Sequence, residues 1–355
     1  MAFESIIRRQ SNYIPPKYSK SRVNRAGKAF ADSKPASEDY NVIENWRTSH
    51  AYLLNTFQAT LRGKARGKDI IVAQRLKRRP TIIGKLRRFP DMQLSRMHDI
   101  AGCRVIFRSI QELNAYRTQM HKARFQHVRK APDEDRWNYI RNPKPSGYRG
   151  IHDVYEYKSK VIGGAPWNGL ALEIQYRTQV QHAWATAVEV ASLVTHNNPK
   201  FDQGSPEVIE FFKLASEVLA RAFEDSHGSY SNLSSTELLH RLAQADEETH
   251  ILRLFDQIRI IHRQPEVQRK NTILVLTPDR NQEGQIHLEI FTFNNIFDAT
   301  DYYRELESKA TGNEDIVLVK SDSMDSIQVA YRNYFGDTAE FTKLLREGRE
   351  QLELQ

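Results

Sequence analysis

The feature that most constrains the fold is a succession of an acid, a basic aromatic loop and a second acid between residues 96 and 178. Asp99 shortly precedes the apolar run VIF, and Glu173 lies inside the alternating run LALEIQY. Apolar side chains at every second position are typical of a half-buried strand. The pattern therefore predicts that both carboxylates lie on or beside strands, with the loop at residues 138–152 between them.

Two acids carried on strands and facing a loop of Lys, Arg, Tyr and Gly suit a site for a metal ion and phosphate groups. Mg²⁺ prefers oxygen ligands and usually keeps waters and substrate phosphates, so one or two protein carboxylates are enough. The alternative for each acid is a surface carboxylate at the end of a strand. The pattern alone leaves both interpretations open.

Length and composition limit the class of protein. A chain of 355 residues is long enough for two domains. No run approaches the roughly 18 to 20 apolar residues of a membrane helix, and residues 1–10 lack the apolar segment of a signal peptide. The single cysteine, Cys103, excludes an intramolecular disulfide and a cysteine-based zinc site. We therefore expect a cytoplasmic protein with no membrane partner.

The positive charge is concentrated at the start of the chain. Residues 1–88 contain 20 Lys and Arg against 6 Asp and Glu, a net charge of +14, whereas residues 89–355 contain 32 against 38. The basic end is the expected contact for a polyanion, and a solvated basic surface is the alternative. Tyr13, Tyr18 and Phe30 lie among the cations and favour contact with a nucleotide or RNA.

The local patterns divide the chain into three parts. Residues 1–36 predict a basic arm with a short helix at most. Residues 37–232 predict an α/β domain with a mixed sheet of about five strands flanked by helices. Residues 233–355 predict a smaller α+β domain that is regulatory, inhibitory in cis, or a stabilising extension. Individual elements include single helices at 37–62, 237–261 and 324–334 and strands at 70–77 and 124–130.

Five separated motifs carry a resemblance to a known family: Arg75-Leu76-Lys77, Lys85-Leu86, Asp99 to Arg104, Tyr139 to His152, and Glu173 to Thr178. Over roughly residues 70 to 195 they resemble the synthetase domain of the RelA/SpoT family. These enzymes transfer pyrophosphate from ATP to the 3′-hydroxyl of a guanosine nucleotide, which gives the alarmone (p)ppGpp of the stringent response. The resemblance implies a nucleotidyltransferase-like fold, ATP as donor, a GDP or GTP acceptor and Mg²⁺.

The resemblance also implies a role for each matching residue. Asp99 is implied to hold Mg²⁺, and Glu173 is implied to lie by the acceptor hydroxyl, where it takes the proton or shares the metal. Tyr148 is implied to stack on the acceptor guanine. The implied ATP contacts are Arg75, Lys77, Lys85 and Arg104. The implied acceptor contacts are Tyr139, Lys144, Tyr148, His152 and Gln175.

Elementary geometry supports parts of this assignment. Arg75 and Lys77 lie two residues apart on a predicted strand and therefore share a face. Lys85 follows on a predicted helix that begins at Pro80, so three cations can converge, although a solvated basic face is the alternative. Gly147 permits close approach of the backbone beside Tyr148.

The sequence departs from the family pattern at Trp137-Asn138, where many members have Lys-Asp near the acceptor phosphates. A second hypothesis is therefore a toxin that pyrophosphorylates the 3′ end of tRNA, binds it through the basic arm at residues 8–28 and is restrained by residues 233–355. A third is a non-catalytic RNA-binding module. We expect no alarmone hydrolase activity, because the stretch before residue 70 is too short for a separate hydrolase domain. Family members form tetramers or act alone, so a homo-oligomer is left open.

Overall fold

The computed structural model describes residues 13–131, 136–194, 205–262, 271–278, 285–310, 314–320 and 338–354. Residues 1–12 of the predicted arm and the helix predicted at 324–334 lie outside these ranges. The first described helices are α1 to α5: Lys20–Ala31, Ser37–Ser49, Ala51–Ala65, Arg79–Arg88 and Ile110–His121. Then come α6 to α11: Gln179–Val194, Pro206–Glu224, Ser235–Thr249, Ile251–Gln257, Ile296–Lys309 and Ala339–Glu353. None of these described helices has both the length and the hydropathy needed to cross a membrane.

The strands form one mixed sheet. They are β1 to β5, Ile71–Leu76, Ala101–Phe107, Val128–Arg129, Ile151–Glu156 and Ala171–Thr178, and β6 to β9, Arg259–His262, Asn271–Pro278, Gln285–Phe293 and Asp315–Lys320. Their order across the sheet is β3-β4-β5-β2-β1-β9-β7-β8-β6. The α/β class is confirmed, but the predicted number of about five strands is wrong. The first half supplies five strands, and the antiparallel pairing of β1 with β9 joins four more to the same sheet.

The two faces of the sheet have different roles. Cys103, Val105 and Phe107 of β2 point to one face, where they form a core with helices α1 to α5. The alternate residue Ile106 points to the other face, which packs on α6, α7, α8 and α11. Because successive side chains of a strand point to opposite faces, Gly102 and Arg104 share the face of Ile106. The polar residues of the candidate site are therefore on this second face.

Several helices differ from the predicted ones at a specific residue. The helix predicted over residues 37–62 is divided at His50 into α2 and α3. The helix predicted over 237–261 ends at His250, which has a left-handed backbone with φ of 53°, and the chain then forms α9 and β6. The arm contains a full helix, α1, because Val23, Ala26 and Phe30 pack into the core.

His50 gives the fold a testable pH dependence. The ring is 1% exposed, and its Nδ1 lies 2.7 Å from the carbonyl oxygen of Trp46. Burial lowers the pKa of His50 from 6.5 to about 4. The unfolded chain therefore binds a proton that the folded chain excludes, and stability falls as the pH falls from about 6.5 towards 4.

We expect the free energy of unfolding to fall by about 2 kcal/mol more between pH 7 and pH 5 in the wild type than in His50→Gln. Urea unfolding at the two pH values measures the difference. His240→Gln, at an exposed histidine, is the control and should keep the wild-type pH dependence. Equal pH dependence of the wild type and His50→Gln would contradict the prediction.

Candidate active site

The candidate site lies over the middle of the sheet. Gly102 of β2 is paired with Arg75 of β1 on one side and with Glu173 of β5 on the other. In the next row of the same face, Arg104 of β2 is paired with Gln175 of β5. A Cβ atom added at Gly102 would have only the backbone oxygen of Arg75 within 4 Å, at 3.8 Å. The glycine therefore leaves open space between a cation and an acid.

Asp99 lies just before β2 and forms ion pairs with two lysines. Its Oδ2 is 2.7 Å from the Nζ of Lys77, which follows β1, and its Oδ1 is 3.0 Å from the Nζ of Lys85 in α4. The N–H of Lys77 donates to the carbonyl oxygen of Ile100 at 2.8 Å, which fixes the end of β1 beside the Asp99 turn. Three of the predicted donor-site residues thus meet in one cluster.

The charges in this cluster act on each other through a poorly hydrated environment. Burial opposes ionisation of Asp99, but Lys77 and Lys85 outweigh it and hold the pKa of the carboxyl well below its usual range. Burial lowers the pKa of Lys77 to about 8; Asp99 opposes this change, whereas Lys85 and Arg75 add to it. The neighbourhood of Lys77 is therefore rich in positive charge, as a site for phosphate groups requires.

Glu173 is held from two sides on β5. The Nε2 of Gln175 donates to its Oε1 at 2.7 Å, and the Nδ1 of His152 lies 3.4 Å from its Oε2. Burial opposes ionisation, but His152 outweighs it and lowers the pKa of Glu173 to about 2, while the charge of Asp99 acts in the opposite direction. The two acids are thus close enough to influence each other, and Glu173 is ionised at neutral pH.

The predicted acceptor residues form an aromatic group beside Glu173. The rings of Tyr139 and Tyr148 are 5.7 Å apart, and the ring of His152 is 5.3 Å from Tyr139. The Nζ of Lys144 lies 4.4 Å from the centre of the Tyr139 ring and 5.2 Å from that of Tyr148. Two aromatic faces with a cation above them can bind a purine that carries phosphate groups.

The loop that presents Tyr148 is fixed by close packing. Gly147 has a φ of +84°, and a Cβ there would lie 3.1 Å from the Cα of Lys213 in α7. Its carbonyl oxygen accepts a hydrogen bond from the hydroxyl of Ser216 at 2.6 Å. The close approach predicted for Gly147 is thus towards the backbone of α7, and it sets the position of the following tyrosine.

The hydroxyl of Tyr148 is held by two basic side chains. It lies 2.6 Å from the Nε2 of His152, and both Nε and Nη2 of Arg177 donate to it at 3.2 Å. Burial favours the neutral phenol, but Arg177 and His152 outweigh it and lower the pKa of Tyr148 to about 7. Burial lowers the pKa of His152. The neighbouring Tyr148 and Glu173 outweigh this effect and raise the pKa to about 9. The sequence analysis did not identify Arg177, although its position two residues after Gln175 on a strand places it on the same face.

A second group of residues that was not predicted from the sequence surrounds Glu224 and lies next to the strands of the site. The Glu224 carboxylate at the end of α7 accepts hydrogen bonds from Arg149, Thr178 and Gln181. Arg149 lies two residues before β4, Thr178 ends β5, and Gln181 lies in the first turn of α6. Glu224 is 75 residues from Arg149, and no local pattern of the sequence points to their contact. Through these hydrogen bonds Glu224 connects the segment before β4, which carries His152, with the end of β5, which carries Glu173.

The residues that depart from the family pattern, Trp137 and Asn138, lie close to the candidate site. The ring of Trp137 is 6.3 Å from that of His98, and the guanidinium of Arg136 lies 5.1 Å from the centre of the Trp137 ring. The carbonyl oxygen of Trp137 accepts a hydrogen bond from the N–H of His152 at 3.1 Å. A cation is therefore present beside Trp137.

The donor set can be compared with the needs of Mg²⁺. Among the described residues there is no group of three or more His, Cys, Asp or Glu that could hold a metal ion. Asp99 and Glu173 provide two ionised carboxylates, which is sufficient when phosphate oxygens and waters complete the ligands. The residues present therefore fit a magnesium ion that arrives with a polyphosphate, but not a metal held by protein ligands alone.

Comparison with known proteins relates the chain to one family. Residues 74–195 match the model of the region found in RelA / SpoT proteins. The chain is 28% identical over 158 residues to the GTP pyrophosphokinase YjbM of Bacillus subtilis, which covers 43% of this chain and 68% of that protein. It is 30% identical over 143 residues to the GTP pyrophosphokinase of Escherichia coli K12, which covers 40% of this chain and 17% of that protein.

Among solved structures, the chain resembles the small alarmone synthetase 1 from Bacillus subtilis bound to its product pppGpp. The identity is 26%, the TM-score is 0.43, and the match covers 51% of this chain and 93% of that one. The family resemblance expected from the five sequence motifs is confirmed over residues 74–195 by the match to the family model. Residues 74–195 of this chain are therefore a RelA/SpoT region.

Proposed function

We propose that this protein is a magnesium-dependent ATP pyrophosphokinase that makes (p)ppGpp from ATP and GDP or GTP. The observation that carries the proposal is that Asp99, just before β2, and Glu173, beside Gly102 on the neighbouring strand β5, are close enough to influence each other's charge. On the Asp99 side lie Lys77 and Lys85, and on the Glu173 side lies the aromatic group. A donor polyphosphate and an acceptor nucleoside can thus meet between the two acids.

The proposed reaction uses each side of the site for one substrate. The acceptor 3′-oxygen bonds to the β-phosphorus of ATP, the bond from that phosphorus to the α–β bridging oxygen breaks, and AMP leaves. Glu173 is ionised and accepts the proton of the 3′-hydroxyl. Arg75, Lys77, Lys85 and Arg104 bind the phosphates and stabilise the negative charge that shifts to AMP.

Asp99 and Glu173 would hold the magnesium ion, which when bound supplies charge neutralisation at the transferred phosphates. ATP phosphates compete for the two lysines that now pair with Asp99. Their departure would leave the Asp99 oxygens available as ligands. The carboxylate thus changes partners when the donor binds.

For the acceptor we propose a guanosine nucleotide. Tyr139 and Tyr148 offer ring faces to a purine, with Lys144 above them. Arg136 beside Trp137 supplies positive charge next to the positions where the family pattern has Lys-Asp. These cations suit an acceptor with its own 5′ phosphates, and a cytoplasmic location, where ATP and GTP are present, goes with this proposal.

Thin-layer analysis of γ-labelled ATP incubated with Mg²⁺ and with GDP, GTP, ATP or total tRNA in parallel tests the proposal. The expected result is a labelled guanosine nucleotide in the GDP and GTP reactions, together with unlabelled AMP that is detected by its ultraviolet absorbance. Label in tRNA alone would favour the toxin hypothesis. Salt-sensitive RNA binding without any ATP turnover would favour the non-catalytic hypothesis and contradict the proposal.

The open space at Gly102, between Arg75 and Glu173, leads to a further prediction. Valine is compatible with a strand and would meet no atom closer than 3.8 Å at its Cβ, so Gly102→Val should fold. Its methyl groups would occupy the space between Arg75 and Glu173, and the KM for ATP should rise by roughly tenfold or more. Steady-state kinetics measures the change. Gly63→Val, at an open position of α3, is the control, and an unchanged KM for ATP in Gly102→Val would contradict the prediction.

A further inference from the structure

Five side chains of the candidate site form a closed ring of polar contacts. From Glu173, one branch passes through Gln175 to Arg177 along β5, with distances of 2.7 Å and 3.4 Å. The other branch passes from Glu173 through His152 and Tyr148, with distances of 3.4 Å and 2.6 Å. Both branches end on Arg177, which therefore connects the aromatic group and the carboxylate.

The position of Arg177 explains why one residue can serve both branches. Glu173, Gln175 and Arg177 alternate along β5 and share a face. The Arg177 side chain is 4% exposed, so its charge acts in a poorly hydrated environment. A guanidinium donates from several fixed N–H groups at once, and here Nε and Nη2 bind the Tyr148 hydroxyl while Nη2 also reaches Gln175.

We propose that Arg177 is a positioning residue for the acceptor, an inference that rests on the proposed function. It binds the hydroxyl of Tyr148, and its guanidinium carbon lies 5.0 Å from the centre of the Tyr148 ring, so it fixes the orientation of the ring that the acceptor base contacts. Through Gln175, Arg177 also fixes the carboxylate of Glu173, so the same ring of polar contacts holds both Tyr148 and Glu173. The acceptor base and the group that takes the proton are thereby held at a constant separation. Arg177 does not touch the reacting atoms.

Arg177→Met should raise the KM for GDP, lower kcat and reduce kcat/KM for the acceptor by about 10²-fold, the usual effect of a misplaced reactant. The KM for ATP should stay within about twofold, because Lys77 and Lys85 are held by Asp99 and not by Arg177. Arg177→Lys should recover part of the loss, since an ammonium can bind one branch. In a double-mutant cycle with Tyr148→Phe, the two losses should not add, because each substitution breaks the same contact.

Arg117→Met is the matched control. Arg117 is also a partly buried arginine in an ion pair, with Asp153 of β4 at 2.7 Å, but it lies away from the ring of five side chains. If Arg177 only stabilises the fold, both arginine variants will lower the melting temperature and leave both KM values unchanged. That result, or additive losses with Tyr148→Phe, would overturn the inference.

Equilibrium dialysis with GDP separates this inference from the proposed function. If the wild type binds GDP but transfers nothing to it, the proposed function fails, and at least tenfold weaker GDP binding by Arg177→Met would still support the positioning role. If the wild type transfers pyrophosphate and Arg177→Met binds GDP equally well, the positioning role fails and the proposed function stands. A wild type that neither binds GDP nor transfers to it would contradict both.

Discussion

Replacing Glu173 with glutamine is expected to lower kcat by about 10²- to 10⁴-fold, the usual contribution of a positioned proton acceptor. The amide has the shape of the carboxylate but cannot accept the proton or supply a negative charge. The hydrogen bond from Gln175 can persist, because the amide keeps an oxygen at the Oε1 position. The variant should therefore fold and still bind nucleotides.

The measurement is the rate of AMP formation from ATP and GDP, together with circular dichroism to check the fold. Glu289→Gln, at an exposed acid on β8, is the matched control and should keep the wild-type rate. Full activity in Glu173→Gln would remove Glu173 from the mechanism. Equal rate loss in both variants would point to a general effect of the removed charge.

The second large effect is expected from Glu307→Ala, which should lower the free energy of unfolding by about 3–5 kcal/mol. The Glu307 carboxylate in α10 is 2.9 Å from the Nη2 of Arg47 in α2 and accepts a hydrogen bond from the hydroxyl of Tyr303 at 2.9 Å. Arg47 is fully buried. Burial works against its charge, but Tyr303, Glu307 and Glu44 outweigh it and raise the pKa of Arg47. Removal of Glu307 would leave Glu44 as the carboxylate paired with that buried charge and would also leave the Tyr303 hydroxyl without its carboxylate acceptor.

Urea unfolding measures the loss, and Glu305→Ala provides a control on the same helix. Glu305 pairs with Lys309 at an exposed surface, so its removal should change stability by less than about 1 kcal/mol. Equal stability of the two variants would contradict the predicted role of the buried pair. The hydrogen bond from the Nη2 of Arg79 to the carbonyl oxygen of Glu307, at 3.4 Å, should persist in Glu307→Ala, because the substitution keeps the backbone.

The same contacts bear on the hypothesis that residues 233–355 restrain the enzyme. Val319 of β9 pairs with Arg75 of β1, so deletion of the C-terminal residues would expose the backbone of β1 and part of the shared core. An exposed strand edge promotes association. A change in toxicity after this deletion could therefore reflect either loss of restraint or loss of stability, and the deletion alone does not distinguish them. Restraint and the predicted domain boundaries at residues 36/37 and 232/233 stay predictions.

Local patterns were sufficient to predict β1, β2 and β5, but not β4, which carries His152 and begins inside the predicted loop. The alternation around Glu173 predicts β5 and places Gln175 on the same face, and Pro80 correctly marks the start of a helix at α4. The hydrogen-bonded partner of a residue is harder to predict when it lies far along the chain. Arg47 and Glu307 are 260 residues apart, and neither has a local pattern that distinguishes it from a surface charge.

The number of strands in the sheet was predicted wrongly for the same physical reason. Pairing of β1 with β9 depends on which edges the rest of the fold leaves open, and this is not encoded in the sequence of either strand. The two divided helices show a different limit. The apolar spacing continues across His50 and His250, so periodicity alone predicts one helix in each case. The break at His250 is a residue with a left-handed backbone, which apolar spacing does not reveal.

The central claim is that Asp99 and Glu173 act in one metal–nucleotide pocket. The most direct test is a crystal structure with Mn²⁺ and a non-hydrolysable ATP analogue, in which anomalous scattering locates the ion. We predict a peak within about 2.5 Å of an oxygen of Asp99, with the analogue phosphates against Lys77 and Lys85 and Glu173 facing the β-phosphorus. An ion and nucleotide bound elsewhere, with Asp99 still paired to both lysines, would contradict the account.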